Sequence, residues 1–150
     1  MRSGGVMVGD NPKKVSAYLE RNFLARRWFS QKFSVPVEAL FQQRWGDCDE
    51  YAELAAYWLT QHGYEAYLAD LRFDQHTASG YANHDVCVFK EPDGTWRVID
   101  SYFHHKGGNP VRPFSSALQA CEQGPPHFGV HLARCDLYDV SGKLVNSLQR

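Results

Sequence analysis

The sequence has little that would mark a disulfide-built, membrane-spanning or nucleic-acid-binding protein. Its 150 residues contain four cysteines, and no two of them form a Cys-x-x-Cys pair, which argues against a disulfide scaffold and a structural zinc site. No apolar run approaches the roughly 20 residues that span a bilayer. The formal net charge of -1 disfavours a dedicated nucleic-acid-binding role. We therefore expect no membrane insertion, no nucleic-acid partner, no metal and no cofactor.

What is present suits one soluble domain. Hydrophobic residues make up 43% of the chain and charged residues 22%, which is ordinary for a globular domain and unlike a disordered one. The length is sufficient for one domain with a real hydrophobic core. Residues 1–10 contain no apolar segment of the kind found in a secretory signal, so we expect a cytoplasmic protein with reduced cysteines.

Charge is unevenly distributed along the chain. Residues 1–44 contain eight Lys or Arg and three Asp or Glu, whereas residues 45–150 contain eight and fourteen. A solvated basic helix on a mildly acidic body explains this pattern, and a contact surface for an acidic partner is the alternative. Apolar residues at helical spacing predict that helix over residues 12–29, with most of its Lys and Arg on the face opposite the apolar one.

Changes in hydrophobic periodicity predict an α+β domain. A helical part occupies residues 11–62 and includes a second, short helix over residues 37–42. An antiparallel sheet follows over residues 64–101, and a C-terminal helix and hairpin occupy residues 111–150. We expect these parts to form a single domain over residues 1–150.

One cysteine stands where a helix is predicted to begin. Cys48 falls in the first turn of a helix that Gly63 is placed to end. Backbone N–H groups and the helix dipole stabilise a thiolate at such a position, although the adjacent acids Asp47, Asp49 and Glu50 oppose it. Cys48 is therefore a candidate nucleophile that needs a nearby base. The other cysteines are predicted to be packing residues: Cys87, Cys121 and Cys135.

A predicted β-hairpin brings a base and a carboxylate together. Residues 92–94 form a Pro-Asp-Gly turn between the strands that contain His84 and Asp100. A three-residue loop directs both side chains to the same face of the sheet, whereas a two-residue loop would put them on opposite faces. The turn residues favour the three-residue loop, with Gly94 in the left-handed conformation. We therefore predict a His84–Asp100 pair.

A family resemblance lies in the run GDCDEYAEL, residues 46–54, which is followed by a helix and by Gly-Tyr. This run resembles the core of transglutaminases and transglutaminase-like cysteine proteases, and so does the later pairing of His84 with Asp100 in a Trp-x-Val-Ile-Asp strand. The resemblance covers about residues 42–101. The sequence departs from the pattern after His84, where many members have Ala-Trp, and after Asp100, where many have Pro.

The resemblance implies a papain-like fold in which the nucleophile helix packs on an antiparallel sheet. It implies a catalytic triad of Cys48, His84 and Asp100, and it makes Gln42, six positions before the cysteine, a candidate for binding the oxyanion. The implied activity is acyl transfer through a thioester on peptide or protein amide bonds, as in a cysteine peptidase or amidase. A protein-glutamine transglutaminase or deamidase, and an inactive binding module of the same fold, are the alternatives.

Overall fold

The computed structural model describes residues 10–22, 48–77, 82–103 and 108–149, and the backbone alone at 2–3, 6–7, 24–25 and 45–46. These residues form an α+β arrangement of three helices and a five-stranded antiparallel sheet. None of the helices within them is long and apolar enough to cross a membrane. The helix predicted over residues 37–42 lies outside the described residues.

The first helix, α1, covers Pro12–Asn22 and is shorter than the sequence predicts. Asn11 caps its start, because its side-chain oxygen accepts a backbone N–H of the first turn at 3.0 Å. At the other end, the side-chain amide of Asn22 donates to the carbonyl of Tyr18 at 3.0 Å and so occupies a backbone acceptor of the last turn. The predicted continuation to residue 29 is wrong, since residues 24–25 form a short strand.

In the part of the chain that the structure describes, four two-residue strands lie outside the main sheet. Strand β1 (Arg2–Ser3) pairs antiparallel with β2 (Val6–Met7), and β3 (Leu24–Ala25) pairs in parallel with β4 (Trp45–Gly46). Because β4 directly precedes the second helix, the β3–β4 pairing ties the start of that helix to the chain that follows α1.

The second helix, α2, covers Cys48–Gln61 and begins at the predicted nucleophile. Most of its residues are buried, because it packs against the sheet and against α1. Gly63 follows it in the left-handed conformation, with φ 84°. The N–H of Tyr64 then bonds back to the carbonyl of Leu59 at 3.0 Å, which closes the helix end. The predicted start and end of this helix are thus confirmed.

The main sheet has the strand order β7-β6-β5-β8-β9, and every neighbouring pair is antiparallel. Its strands are β5 (Ala66–Phe73), β6 (Asn83–Lys90), β7 (Trp96–Ile99), β8 (Leu132–Tyr138) and β9 (Leu144–Gln149). The predicted C-terminal hairpin, β8–β9, therefore extends the same sheet from the side of β5.

Apolar side chains pack on both faces of this sheet. One face packs against α1 and α2, and its buried cluster includes Cys87 and Phe89 of β6. The other face packs against the third helix, α3 (Ala117–Gln123), and its cluster includes Val86 and Val88 of the same strand. Alternate residues of β6 therefore face different helices, which sets the direction of each candidate site residue on that strand.

A row of buried carboxylates crosses three strands on the α2 side of the sheet. Asp85 on β6 pairs in register with Asp70 on β5, and Asp70 pairs with Asp136 on β8. All three residues are nearly inaccessible to solvent. Arg72 donates to Asp70 at 3.0 Å and Arg134 donates to Asp136 at 2.8 Å. These cations offset the repulsion between like charges in register.

Replacing Asp136 with asparagine is expected to destabilise the fold in a pH-dependent way. Burial raises the pKa of Asp136, but hydrogen bonds from Ser147 and Arg134 outweigh burial and hold the pKa below its ordinary value of 3.8. The stabilisation is therefore complete above that value and is lost as the pH falls through the lower pKa of the folded state.

We expect Asp136→Asn to lower the free energy of unfolding by about 1–2 kcal/mol near neutral pH. Urea denaturation over a range of pH checks this value. The difference between variant and parent should shrink as the solution is acidified, and an equal loss at every pH would show that the charge of Asp136 is not what stabilises the fold.

Candidate active site

The hairpin of β6 and β7 brings His84 against Asp100. Nε2 of His84 lies 2.7 Å from Oδ1 of Asp100, and the two residues are 8% and 0% exposed. The N–H of Glu91 donates to the carbonyl of Thr95 at 2.8 Å, so the turn has the predicted three-residue loop. Gly94 has the left-handed conformation that this loop requires, with φ 89°. The predicted pairing of imidazole and carboxylate is confirmed.

Asp100 is fixed through both its backbone and its carboxylate. The side chain of Asn109 accepts the Asp100 N–H at 2.9 Å and donates to the Asp100 carbonyl at 2.9 Å. The backbone N–H of Tyr102 donates to Oδ1 of Asp100 at 2.9 Å. A carboxylate held in this way can orient an imidazole, which is the role of the third member of a triad. No spacing pattern in the sequence singles out Asn109.

Cys48 begins α2, and its thiol lies among carboxylates. The thiol donates to Oδ1 of Asp49, with Sγ 3.6 Å from that oxygen. Sγ and carboxylate oxygens of Asp49 and Asp85 all lie within 4.8 Å of one another. The helix N-terminus favours a thiolate, whereas the two carboxylates oppose it, so a base is needed to remove the thiol proton.

The alternation of β6 separates the two halves of the predicted triad. Asp85 faces α2, as Cys87 does, whereas His84 lies on the α3 side of the sheet with Val86. His84 is nevertheless only the second residue of β6, and its immediate neighbour Asp85 is the residue that meets Cys48. The thiol and the His84–Asp100 pair therefore approach the same end of the strand from opposite faces of the sheet.

The side chains around Cys48 also form a group with the ligand types of a cation site. Cys48, Asp49 and Asp85 offer one sulfur and two carboxylate oxygens within 4.8 Å of one another. A sulfur ligand favours a thiophilic ion such as Zn²⁺ over Mg²⁺ or Ca²⁺. Any such ion must displace the thiol proton that is now donated to Asp49, so metal binding and nucleophilic activation compete for the same sulfur.

Aromatic rings cover the imidazole of His84. The ring of Phe128 meets it edge to face, with centroids 5.5 Å apart and planes at 88°. Tyr102 packs on the same Phe128 ring at 5.6 Å and Phe73 packs on it at 6.2 Å. Phe128 and Tyr102 are themselves partly exposed to solvent. The His84–Asp100 pair is thus separated from water by apolar rings that border it.

Phe128 adopts an unfavourable backbone conformation to hold this position. Its φ is 56° and that of Gly129 is 82°, and the N–H of Val130 donates to the carbonyl of His127 at 3.1 Å. Asparagine or glycine is the ordinary first central residue of such a turn, and another residue there costs about 1–2 kcal/mol. The contact with His84 gives a physical reason for a phenylalanine at this place.

Phe128→Asn is therefore expected to relax the turn and uncover His84. Asparagine tolerates the left-handed conformation, so the relieved strain offsets part of the lost packing and the melting temperature should change little. Modification of His84 by diethyl pyrocarbonate, followed by mass spectrometry, should become several-fold faster. Phe128→Tyr retains the ring and should leave that rate near the parent value. Equal rates in all three proteins would show that the ring does not shield the imidazole.

Among the remaining cysteines, Cys87 packs in the core as the sequence predicts. It is fully buried on the α2 face of the sheet. Burial raises the pKa of its thiol well above the ordinary value, so it is neutral and unreactive. Cys121 and Cys135 are also buried, but they lie together in space.

One predicted site residue falls outside the described residues. Gln42, the candidate oxyanion donor, lies in the segment between residues 25 and 45, of which no side chain is described.

A scan against protein-family models and a search of curated proteins found no match to this chain.

Proposed function

We propose that this protein is a cysteine-dependent acyl-transfer enzyme that acts on amide bonds of a peptide or protein through a thioester. The observation that carries the proposal is the buried His84–Asp100 pair, with Nε2 and Oδ1 2.7 Å apart, near the start of the helix that begins with Cys48. A buried imidazole bonded to a fixed carboxylate is the usual support of a thiol nucleophile. The fold in this proposal is a papain-like, transglutaminase-like core with α2 as the nucleophile helix.

Each member of the triad has one chemical role in this proposal. Asp100 accepts the hydrogen bond of Nε2 and so leaves Nδ1 of His84 as the nitrogen that takes a proton. Cys48 gives its thiol proton to Nδ1, and the sulfur attacks the carbonyl carbon of the amide. The protonated His84 then gives the proton to the leaving amine, and the acyl group remains on Cys48 as a thioester.

The second half of the reaction releases the acyl group. Water that loses a proton to His84 attacks the thioester and yields a carboxylic acid, whereas a primary amine yields a new amide. The oxyanion formed in both halves needs donors, for which we propose the backbone N–H of Cys48 and the side chain of Gln42. Loss of one such donor typically lowers kcat by about 10²–10³.

The proposal requires the imidazole and the thiol to meet around the first residues of β6. His84 is the second residue of that strand, and its neighbour Asp85 already lies within 4.8 Å of the Cys48 sulfur. The thiol must exchange its hydrogen bond to Asp49 for one to Nδ1 of His84. The mechanism therefore needs the Cys48 thiol to reach Nδ1 of His84 around this end of the strand while Nε2 keeps its bond to Asp100.

Three outcomes of the same chemistry are distinguishable by assay. A peptidase or amidase hydrolyses an amide bond of its substrate to a carboxylic acid. A transglutaminase or deamidase instead attacks the side-chain amide of glutamine residues. Ammonia release from glutaminyl peptides, measured with and without a primary amine, separates these outcomes, and incorporation of the amine supports a transglutaminase. An inactive binding module of the same fold would release no ammonia and form no thioester.

We also propose a cytoplasmic protein with an acidic partner for its basic N-terminal helix. On α1, Lys13, Lys14 and Arg21 are exposed to solvent. Lys14 pairs with Asp10 at 3.1 Å, which partly neutralises this face. A reducing compartment keeps Cys48 as a reduced thiol, as its proposed chemistry requires.

Alkylation with a low dose of iodoacetamide near neutral pH tests the enzyme proposal. Cys48 should be labelled before the other three cysteines, which are buried. Because exposure alone would also favour Cys48, the informative result is the effect of His84→Ala, which should slow labelling by about 10²-fold. His131→Ala removes an exposed histidine and should have no effect. Labelling of Cys48 that is unchanged by His84→Ala would overturn the proposal.

A further inference from the structure

Two cysteines other than Cys48 come together in the core on the α3 side of the sheet. Cys121 lies on α3 and Cys135 lies on β8, and they are 1% and 2% exposed. Both belong to the same buried apolar cluster. A hydrogen bond that the Cys135 thiol donates to Cys121 raises the pKa of Cys135, and both residues line the same cavity, so the two side chains are neighbours. The sequence gives no sign of this pairing, since 14 positions separate the two residues.

A small cavity lies beside the two sulfurs. It has a volume of about 110 Å³ and is lined by both cysteines together with residues of α3, β8 and β9. Three of its lining residues are exposed and connect it to the surface: Leu118, Asn146 and Ser147. The cavity gives the two thiols room to change their side-chain conformations, and its exposed rim provides a route for a small reagent.

We propose that Cys121 and Cys135 are a dithiol site that a small-molecule disulfide of the glutathione type converts into an intramolecular disulfide between α3 and β8. The site is separate from Cys48 and does not depend on the proposed acyl-transfer activity. Cys87 is the natural comparison within the chain, because it is equally buried but lies on the opposite, α2-facing side of the sheet.

The chemistry is an exchange in which both protein thiols are oxidised and one small disulfide is reduced. One protein thiol loses its proton and attacks a sulfur of oxidised glutathione, which forms a mixed disulfide and releases one glutathione. The second protein thiol then loses its proton, attacks the protein sulfur of that mixed disulfide and displaces the other glutathione. Two protein protons end on the two released glutathione thiols, so atoms and electrons balance.

The environment of the pair makes this exchange slow and favours its product. The raised pKa of Cys135 leaves little thiolate near neutral pH, so the first attack should accelerate as the pH rises. Once one sulfur carries glutathione, the second lies beside it in the same cavity, so closure of the disulfide should be faster than a second reaction with external glutathione. A glutathione adduct on the pair should therefore not accumulate.

Incubation of the Cys48→Ser protein with oxidised glutathione at mildly alkaline pH tests the proposal, since this variant lacks the partly exposed thiol that would compete for glutathione. Intact mass spectrometry is expected to show the loss of two hydrogens with no bound glutathione. Digestion without reductant should give one cross-linked peptide pair that contains Cys121 and Cys135. Either Cys121→Ser or Cys135→Ser should abolish this cross-link, and Cys87→Ser should leave it intact.

Thermal unfolding gives a second readout on the same samples. The new disulfide closes a short loop, which raises the melting temperature by roughly 5–10 °C if the bond forms without strain. Stable glutathione adducts, cross-links that involve Cys87, or a full set of free thiols after prolonged oxidation would each overturn the proposal. If a cysteine variant fails to fold, the cross-linked peptide in the Cys48→Ser protein decides the question alone.

Discussion

Asp100→Asn is expected to slow acylation of Cys48 by an activated ester by roughly 10³–10⁴-fold. The carboxylate oxygen that now accepts from Nε2 of His84 lies 2.7 Å away. An asparagine can instead present its amide N–H to that nitrogen, which moves the imidazole proton to Nδ1. A protonated Nδ1 cannot take the proton of the Cys48 thiol, so the nucleophile stays neutral. Stopped-flow detection of the alcohol released by the ester measures the rate.

A matched control for this variant lies in the same hairpin. Asp93 is an exposed turn residue whose carboxylate accepts hydrogen bonds from the N–H and the hydroxyl of Thr95. Asp93→Asn also removes one carboxylate charge from the hairpin, but Asp93 does not contact His84. The acylation rate of this variant should therefore equal that of the parent. If the acylation rate of Asp100→Asn is within about two-fold of the rates of the parent and of Asp93→Asn, Asp100 does not set the tautomer of His84.

Asn109→Ala is expected to lower the free energy of unfolding by about 2–4 kcal/mol. Its side chain accepts the N–H of Asp100 and donates to the carbonyl of Asp100, both at 2.9 Å, and donates to the Tyr51 hydroxyl at 3.5 Å. Alanine would leave two backbone groups of a fully buried residue without these partners. Chemical denaturation monitored by circular dichroism measures the loss.

Asn109→Ala should lower the reactivity of Cys48 as well as the stability of the fold. Because Asp100 would no longer be fixed, its carboxylate should orient His84 less well, and acylation of Cys48 should slow as well. Asn146→Ala is the control, since Asn146 is exposed and bonds only a neighbouring backbone N–H among the contacts described for it. An Asn109→Ala protein that is as stable and as reactive as the Asn146→Ala protein would contradict the positioning role.

Local chemistry made part of this site predictable from the sequence. The Pro-Asp-Gly turn determines the loop length, and loop length determines which residues of the hairpin share a face, so the His84–Asp100 contact follows from the turn. The start of α2 at Cys48 and its end before Gly63 are likewise marked by nearby residues. Signals of this kind depend on a few neighbours along the chain.

Features that depend on individual side-chain contacts or on packing between elements were not accessible in the same way. The early end of α1 depends on a hydrogen bond between the Asn22 side chain and Tyr18, which competes with an otherwise helical pattern. The proximity of Cys121 and Cys135 depends on how α3 packs against the sheet. The approach of Asp85, rather than His84, to Cys48 depends on which face of β6 packs against α2. Hydrophobic spacing contains no information about these packing geometries.

We propose that Cys48 forms a thioester with the help of His84, and trapping of this acyl-enzyme is the decisive measurement. The protein is mixed with p-nitrophenyl acetate, quenched in acid within seconds and analysed by peptide mass spectrometry. We predict one acetyl group on Cys48, absent from Cys48→Ser and lost from His84→Ala, whereas His131→Ala should retain it. Acetylation confined to lysines, or an equal acetyl yield on Cys48 in the His84→Ala protein, would contradict the claim.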